Sequence, residues 1–231
     1  MGIGKLTRLL AAAGVTVGAV LLDASTPTAS AEPCSDVEVV FARGTSEPPG
    51  LGVVGQAFVD SLRMQVGTRS VSAYAVNYPA SSNFDNSTVF TNNVAAGVRD
   101  ASDHVRSTTA NCPNTKVVLG GYSQGAVVAG FVAEGTGPAG LPASPLPPEA
   151  TVHVAALTLF GKPSGGSLVK YGTAPLTGGP LAGKTTDLCA SGDTICHGEP
   201  GVALGFSHGM YVVNGMTGAA AAIAAGQIAA T

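Results

Sequence analysis

Residues 117–134 read Val-Val-Leu-Gly-Gly-Tyr-Ser-Gln-Gly-Ala-Val-Val-Ala-Gly-Phe-Val-Ala-Glu. An apolar run from Val117 to Leu119 passes through Gly120-Gly121 into Tyr122-Ser123-Gln124-Gly125, and a small-residue helical pattern follows at once. Strand, sharp turn and helix in that order hold a serine out on a strained turn, where its hydroxyl can act as a nucleophile. Gly121 and Gly125 flank Ser123 where so tight a turn has no room for Cβ atoms, and glycine takes strained dihedrals at little cost. The pattern Gly-x-Ser-x-Gly recurs at Gly205-Phe206-Ser207-His208-Gly209, but no clear strand precedes Ser207 and no Asp or Glu follows it. In strand-turn-helix hydrolases the catalytic residues run Ser, acid, His along the chain. Ser207 cannot satisfy that order; Ser123 can, with Asp187 and Asp193 after it and then His197 and His208.

On either side, runs rich in Val, Ile and Leu alternate with helix-length segments, the pattern of βαβ units and a parallel sheet. Strands are expected near Val37 to Ala42, Val71 to Asn77, Val152 to Phe160 and Thr185 to Leu188, besides the one before Ser123. A helix is expected from Val53 to Val66, with Val53, Val54, Ala57, Phe58 and Leu62 on one face. A longer one from Thr88 to about Thr109 has Asn86-Ser87 as its cap. The five prolines between Gly135 and Ala150 read as a surface loop without regular structure. A last helix is expected from about Met210 into the Ala-rich tail, packed on the sheet or frayed.

A serine hydroxyl needs a base to take its proton and an acid to orient that base. Of the four histidines, His104 reads as a charge on a solvated helix face and His153 as a buried residue of the fourth strand. His197 directly follows Cys196, which limits its reach. His208, on a Gly-flanked loop, is free to fold over the sheet edge and is the candidate base. Asp187 falls within the fifth strand, whereas Asp193 lies in the loop beyond it, where open α/β sheets collect their sites; Asp193 is the candidate acid. An oxyanion needs two backbone N–H donors: Gln124 follows the nucleophile, and Arg43-Gly44-Thr45-Ser46 follows the first strand. The Thr45 hydroxyl offers a third donor.

Lys5 and Arg8, an apolar stretch from Leu9 to Leu22 and Ala29-Ser30-Ala31 form the three parts of a cleaved export signal over residues 1–31. Residues 32–231 are then the size of one α/β domain. With 11 basic and 14 acidic residues and no run of like charge, nucleic acid and anionic membranes are poor partners. Four cysteines allow three pairings. Cys189 and Cys196 bracket a six-residue turn, which favours a local bridge and leaves Cys34 with Cys112; a zinc site would lack any Cys-x-x-Cys pair. No metal or cofactor is called for.

Four motifs, Phe41-Ala-Arg-Gly-Thr-Ser, Gly121-Tyr-Ser-Gln-Gly, Cys189-Ala-Ser-Gly-Asp-Thr-Ile-Cys and His208-Gly-Met-Tyr, resemble those of the cutinase family of serine esterases, in its actinobacterial branch. The resemblance runs from Cys34 to about Gly215. It implies a three-layer α/β/α fold, a five-stranded parallel sheet in the order 2-1-3-4-5 and no lid domain. It implies Ser123, Asp193 and His208 as triad, Thr45 and Gln124 as oxyanion hole, and Cys34–Cys112 and Cys189–Cys196 as bridges. Many fungal members carry Ser at the position of Thr45. The expected activity is hydrolysis of ester or lipid substrates through an acyl-enzyme by a secreted or envelope-located monomer, with peripheral contact to lipid or the cell envelope. Lacking Trp and with 5% aromatic residues, the chain has little from which to build a deep pocket, which favours short or medium acyl chains. Acyl transfer to an alcohol by the same residues, or a binding role in the cell envelope, are the alternatives.

Overall fold

Along the first strand Val37, Val39 and Phe41 face one side and Val40 and Ala42 the other, all of them buried, as a strand covered on both faces requires. The computed structural model describes residues 1–2, 34–83, 86–138, 141, 144–198 and 205–231; the expected export signal lies outside them, apart from Met1 and Gly2. Five strands, β1 (Val37–Ala42), β2 (Val71–Ala75), β3 (Lys116–Tyr122), β4 (Val154–Phe160) and β5 (Thr185–Leu188), form one sheet in the order β2-β1-β3-β4-β5. All neighbours pair in parallel, with Phe41 opposite Gly120 and Tyr122 opposite Phe160. The fold is therefore the three-layer α/β/α sandwich expected.

One face is covered by α1 (Gly52–Gln65) and α7 (Met216–Ala229), the other by α2 (Ser87–Asn111) and α3 (Gln124–Glu134). Val39, Phe41, Val118 and Phe160 pack against Phe58 and Leu62 of α1 and Ala220, Ala224 and Ile228 of α7. Val40, Leu119 and Leu157 pack against Phe90, Val94 and Val98 of α2 and Val127 and Phe131 of α3. The Asn86 side chain caps α2 by accepting from the Thr88 and Val89 N–H groups. Cys34–Cys112 ties the chain ahead of β1 to the end of α2, and Cys189–Cys196 closes the loop after β5.

Several expectations need correction. Val53, expected on the buried face of α1, is 70% exposed, because the helix rotates Val54, Phe58, Val59 and Leu62 inward. The Pro-rich segment ends in a short helix, α4 (Pro148–Thr151), which Pro148 can open because its missing N–H is not needed there. The fourth strand starts at Val154, so His153 lies outside it and is only partly buried. His104 is not a solvated charge: it stacks on Tyr74 at 3.5 Å between ring centroids and its Nε2 lies 3.0 Å from Glu38 Oε1. Two further short helices, α5 (Gly165–Lys170) and α6 (Thr194–His197), were not anticipated, and α7 begins at Met216 and not at Met210, after Gly215 at φ +77°.

Candidate active site

β3 ends at Tyr122 and α3 begins at Gln124, so Ser123 alone makes the turn. Its φ of 54° and ψ of −117° lie outside the regions open to an unstrained side chain, at a cost of about 1–3 kcal/mol met by the surrounding structure. The Ser123 N–H donates to the Phe160 carbonyl at 2.9 Å, which anchors the turn to the end of β4. A Cβ on Gly121 would sit 2.1 Å from the Gly125 carbonyl oxygen, and one on Gly125 would sit 2.0 Å from that of Ala42. Both glycines are thus steric requirements of the turn.

Around it the structure brings together residues far apart in the chain. His208, on a single turn of 3-10 helix (Phe206–Gly209), places Nε2 2.9 Å from Ser123 Oγ. Its Nδ1 lies 2.8 Å from Asp193 Oδ2. His208 is 6% exposed and Asp193 fully buried, so the pair works away from bulk water, where electrostatic interactions are stronger. Asp193 also caps α6, its Oδ1 accepting from the Ile195 N–H at 3.0 Å within the loop that Cys189–Cys196 closes. Burial pushes its carboxyl pKa up, but the hydrogen bonds from Tyr211 and His208, the His208 charge and the Ile195 N–H outweigh this and hold it below the ordinary 3.8. The carboxylate form is therefore the resting one.

Tyr211 is a part of the site that sequence reasoning did not assign. Fully buried, it donates its hydroxyl to Asp193 Oδ2 at 2.5 Å and accepts the Ala190 N–H at 3.1 Å. Burial, followed by the hydrogen bond to Asp193, raises its pKa, which keeps the phenol a donor. Its spacing in His208-Gly-Met-Tyr was the available signal. Tyr122 likewise donates to the His208 carbonyl oxygen at 2.6 Å and fixes the backbone that carries the imidazole.

Thr45 and Gln124 sit on the two loops expected to hold an oxyanion. Of the N–H groups from Gly44 to Glu47, those of Gly44, Ser46 and Glu47 donate to Glu47 Oε2, the Ala80 carbonyl and the Gly44 carbonyl respectively. The Thr45 N–H has no partner among the described residues, and the Thr45 hydroxyl is buried without one. Gln124 opens α3, whose first N–H groups have no intrahelical acceptor. The loop is held by Arg43, a buried cation that donates from Nε to the Glu47 carbonyl at 2.8 Å and from Nη2 to the Tyr78 carbonyl at 2.7 Å. Tyr78 stacks under the guanidinium and returns a hydrogen bond to the Arg43 carbonyl.

The other candidates lie elsewhere. Asp187 pairs with Lys162 at 3.3 Å, and His197 ends α6 exposed to solvent.

Residues 33–228 match the family model for cutinase. The carboxylesterase Culp1 of Mycobacterium tuberculosis is 47% identical over 222 residues, covering 93% of this chain and 94% of the relative. The phospholipase Culp4 of the same organism is 47% identical over 194 residues, covering 83% and 80%. Among solved structures, Trichoderma reesei cutinase in complex with a phosphonate inhibitor is 33% identical, with a TM-score of 0.65 over 85% of this chain and 78% of that one. The strained serine, the bridged acid loop and these similarities agree: the chain belongs to the cutinase family.

Proposed function

We propose that this protein is a serine hydrolase of carboxylic esters, working through an acyl-enzyme outside the cytoplasm. The observation that carries the reading is the unbroken chain from Ser123 Oγ through both nitrogens of His208 to the buried Asp193 carboxylate, with links of 2.9 and 2.8 Å. Ser123 attacks the ester carbonyl while His208 Nε2 takes its proton. Asp193 keeps the Nδ1–H tautomer in place and stabilises the imidazolium. The tetrahedral oxyanion is received by the N–H groups of Thr45 and Gln124 and by the Thr45 hydroxyl. His208 returns the proton to the departing alkoxide, and a water activated by His208 then releases the acid. No step calls for a metal or cofactor.

Phe206 and Val213, 84% and 76% exposed, bracket His208 in the chain and favour esters presented at a lipid or waxy surface over freely soluble ones. The low aromatic content favours short to medium acyl chains, and one chain supplies every proposed group, which suits a monomer.

Hydrolysis of p-nitrophenyl esters from two to sixteen acyl carbons by the protein and by Ser123→Ala tests this. Turnover that peaks at one chain length and falls by orders of magnitude in the variant is expected. Full activity in Ser123→Ala would refute the assignment.

A further inference from the structure

Nothing in the sheet ladder holds the peptide between Arg43 and Gly44, which lies beyond the last residue of β1 and leads into Thr45. Its N–H is held by the side chain of Glu47, three residues beyond Gly44. Glu47 Oε2 accepts the Gly44 N–H at 2.6 Å, and Glu47 Oε1 accepts the Val53 N–H at 2.8 Å. Leu51, the residue at the start of α1, has no side-chain cap to offer, so Glu47 caps that helix from outside it. One carboxylate thereby ties the loop behind Thr45 to the first turn of a helix whose Phe58, Val59 and Leu62 are buried under the sheet. Charge-assisted bonds of this kind are about twice as strong as neutral ones and fix their donors more tightly.

We infer that Glu47 is a positioning residue for the oxyanion site, holding the Arg43–Gly44 peptide that leads into Thr45 so that the Thr45 N–H and hydroxyl keep their aim. The inference rests on the ester-hydrolase reading. It accounts for three features together. The Gly44 N–H, which would otherwise compete as a donor, is already committed to Glu47. Among the described residues, the N–H groups on either side of Thr45 are all paired while its own is not. Gly52, at φ +70°, leaves the space the carboxylate fills: a Cβ there would stand 2.3 Å from Glu47 Oε2.

The sign of the effect separates this role from a purely electrostatic one. Glu47 is two residues from Thr45, and its charge adds to the burial that raises the Tyr122 phenol pKa, so the carboxylate is felt at the site. A fixed negative charge near a developing oxyanion opposes it. If charge were all that Glu47 supplied, Glu47→Gln would hydrolyse esters faster. If Glu47 positions the loop, Glu47→Gln is slower, because an amide can accept from one backbone N–H but turns a second donor toward the other.

The test is steady-state hydrolysis of p-nitrophenyl butyrate by the parent, Glu47→Gln, Gly52→Ala and Ser123→Ala, with thermal unfolding of each. We expect kcat to fall tenfold or more in Glu47→Gln with KM within twofold, in a protein that still unfolds cooperatively. Gly52→Ala, which crowds the carboxylate off Gly44 while keeping its charge, should show the same split. It decides the matter alone if Glu47→Gln does not fold. A folded Glu47→Gln whose kcat equals or exceeds the parent's overturns the inference, as does a loss confined to KM. Failure of the underlying reading has a different signature: a parent no more active than Ser123→Ala refutes both.

Discussion

Replacing Tyr211 by Phe removes one oxygen from the buried side of Asp193. In the structure that oxygen donates to Asp193 Oδ2 at 2.5 Å and accepts the Ala190 N–H at 3.1 Å. Loss of a hydrogen bond to a charged group costs about 1.5–3 kcal/mol, and a buried N–H left without an acceptor about 1–3 kcal/mol. The two are coupled through one hydroxyl, so about 3–5 kcal/mol is the expected destabilisation. For a domain of this size each kcal/mol lowers Tm by about 2–4 °C, so a fall of roughly 6–20 °C at pH 7 follows. The pH dependence carries a sign. Asp193 titrates below 3.8 in the folded protein, so its contribution to stability is present above the unfolded value and is lost as pH falls through the folded one. Without the Tyr211 hydroxyl the folded pKa rises, and the loss begins at higher pH. The assay is Tm from pH 2 to 8 for parent and Tyr211→Phe, with ester hydrolysis alongside. Turnover should fall while KM holds, because the Asp193–His208 bond remains but its carboxylate is less firmly placed. A variant with the parent's Tm, acid limb and kcat would refute the reasoning.

Glu38 provides a second pH-linked expectation at the far end of β1. Burial raises its pKa, but the hydrogen bonds from His104 and Thr108 and the His104 charge hold it below the ordinary 4.5. Its stabilisation is therefore complete above that value and fades as pH falls through the lower folded one. Glu38→Gln should lower Tm at neutral pH and flatten its decline below about pH 5; an unchanged acid limb would contradict this. The two disulfides should separate stability from activity. Cys34–Cys112 spans 78 residues and Cys189–Cys196 only 7, which chain entropy converts to about 4.5 and 2.5 kcal/mol. Replacing the first pair by serines should cost more Tm, and replacing the second more turnover, because it frees the loop that places Asp193. The reverse ranking in paired melting and ester assays would overturn that division.

The elbow was legible because its requirements are local. An apolar run, two glycines around Ser123 and a small-residue helix lie within 18 residues, and steric exclusion acts over such distances. The alternation of strands and helices was equally readable, down to Asn86 as the cap of α2, since periodicity and capping depend on near neighbours. The rotation of α1, which leaves Val53 exposed, was not readable, because the apolar residues at 53, 54, 57 and 58 fit more than one face. The short helices α4, α5 and α6 escaped for a related reason: four to six residues carry too little periodic signal.

In the site, the chain order Ser123, Asp193, His208 was available from composition and spacing, since so few histidines and acids follow the elbow. What fastens those three residues was not. Tyr211 on Asp193, Tyr122 on the His208 carbonyl and Glu47 on the Gly44 N–H are bonds made by side chains whose alternative was burial as ordinary hydrophobic or charged residues. His104, which reads as solvated, is stacked on Tyr74 and bonded at its Nε2 to Glu38, from strands 30 and 66 residues away. Local rules of sterics and periodicity set which elements form and where Ser123 stands. Only the packing of β1, β3 and the loop after β5 against one another decides which polar atoms meet, because hydrogen-bond geometry at 2.5 to 3 Å is settled by tertiary distances that no spacing along the chain encodes.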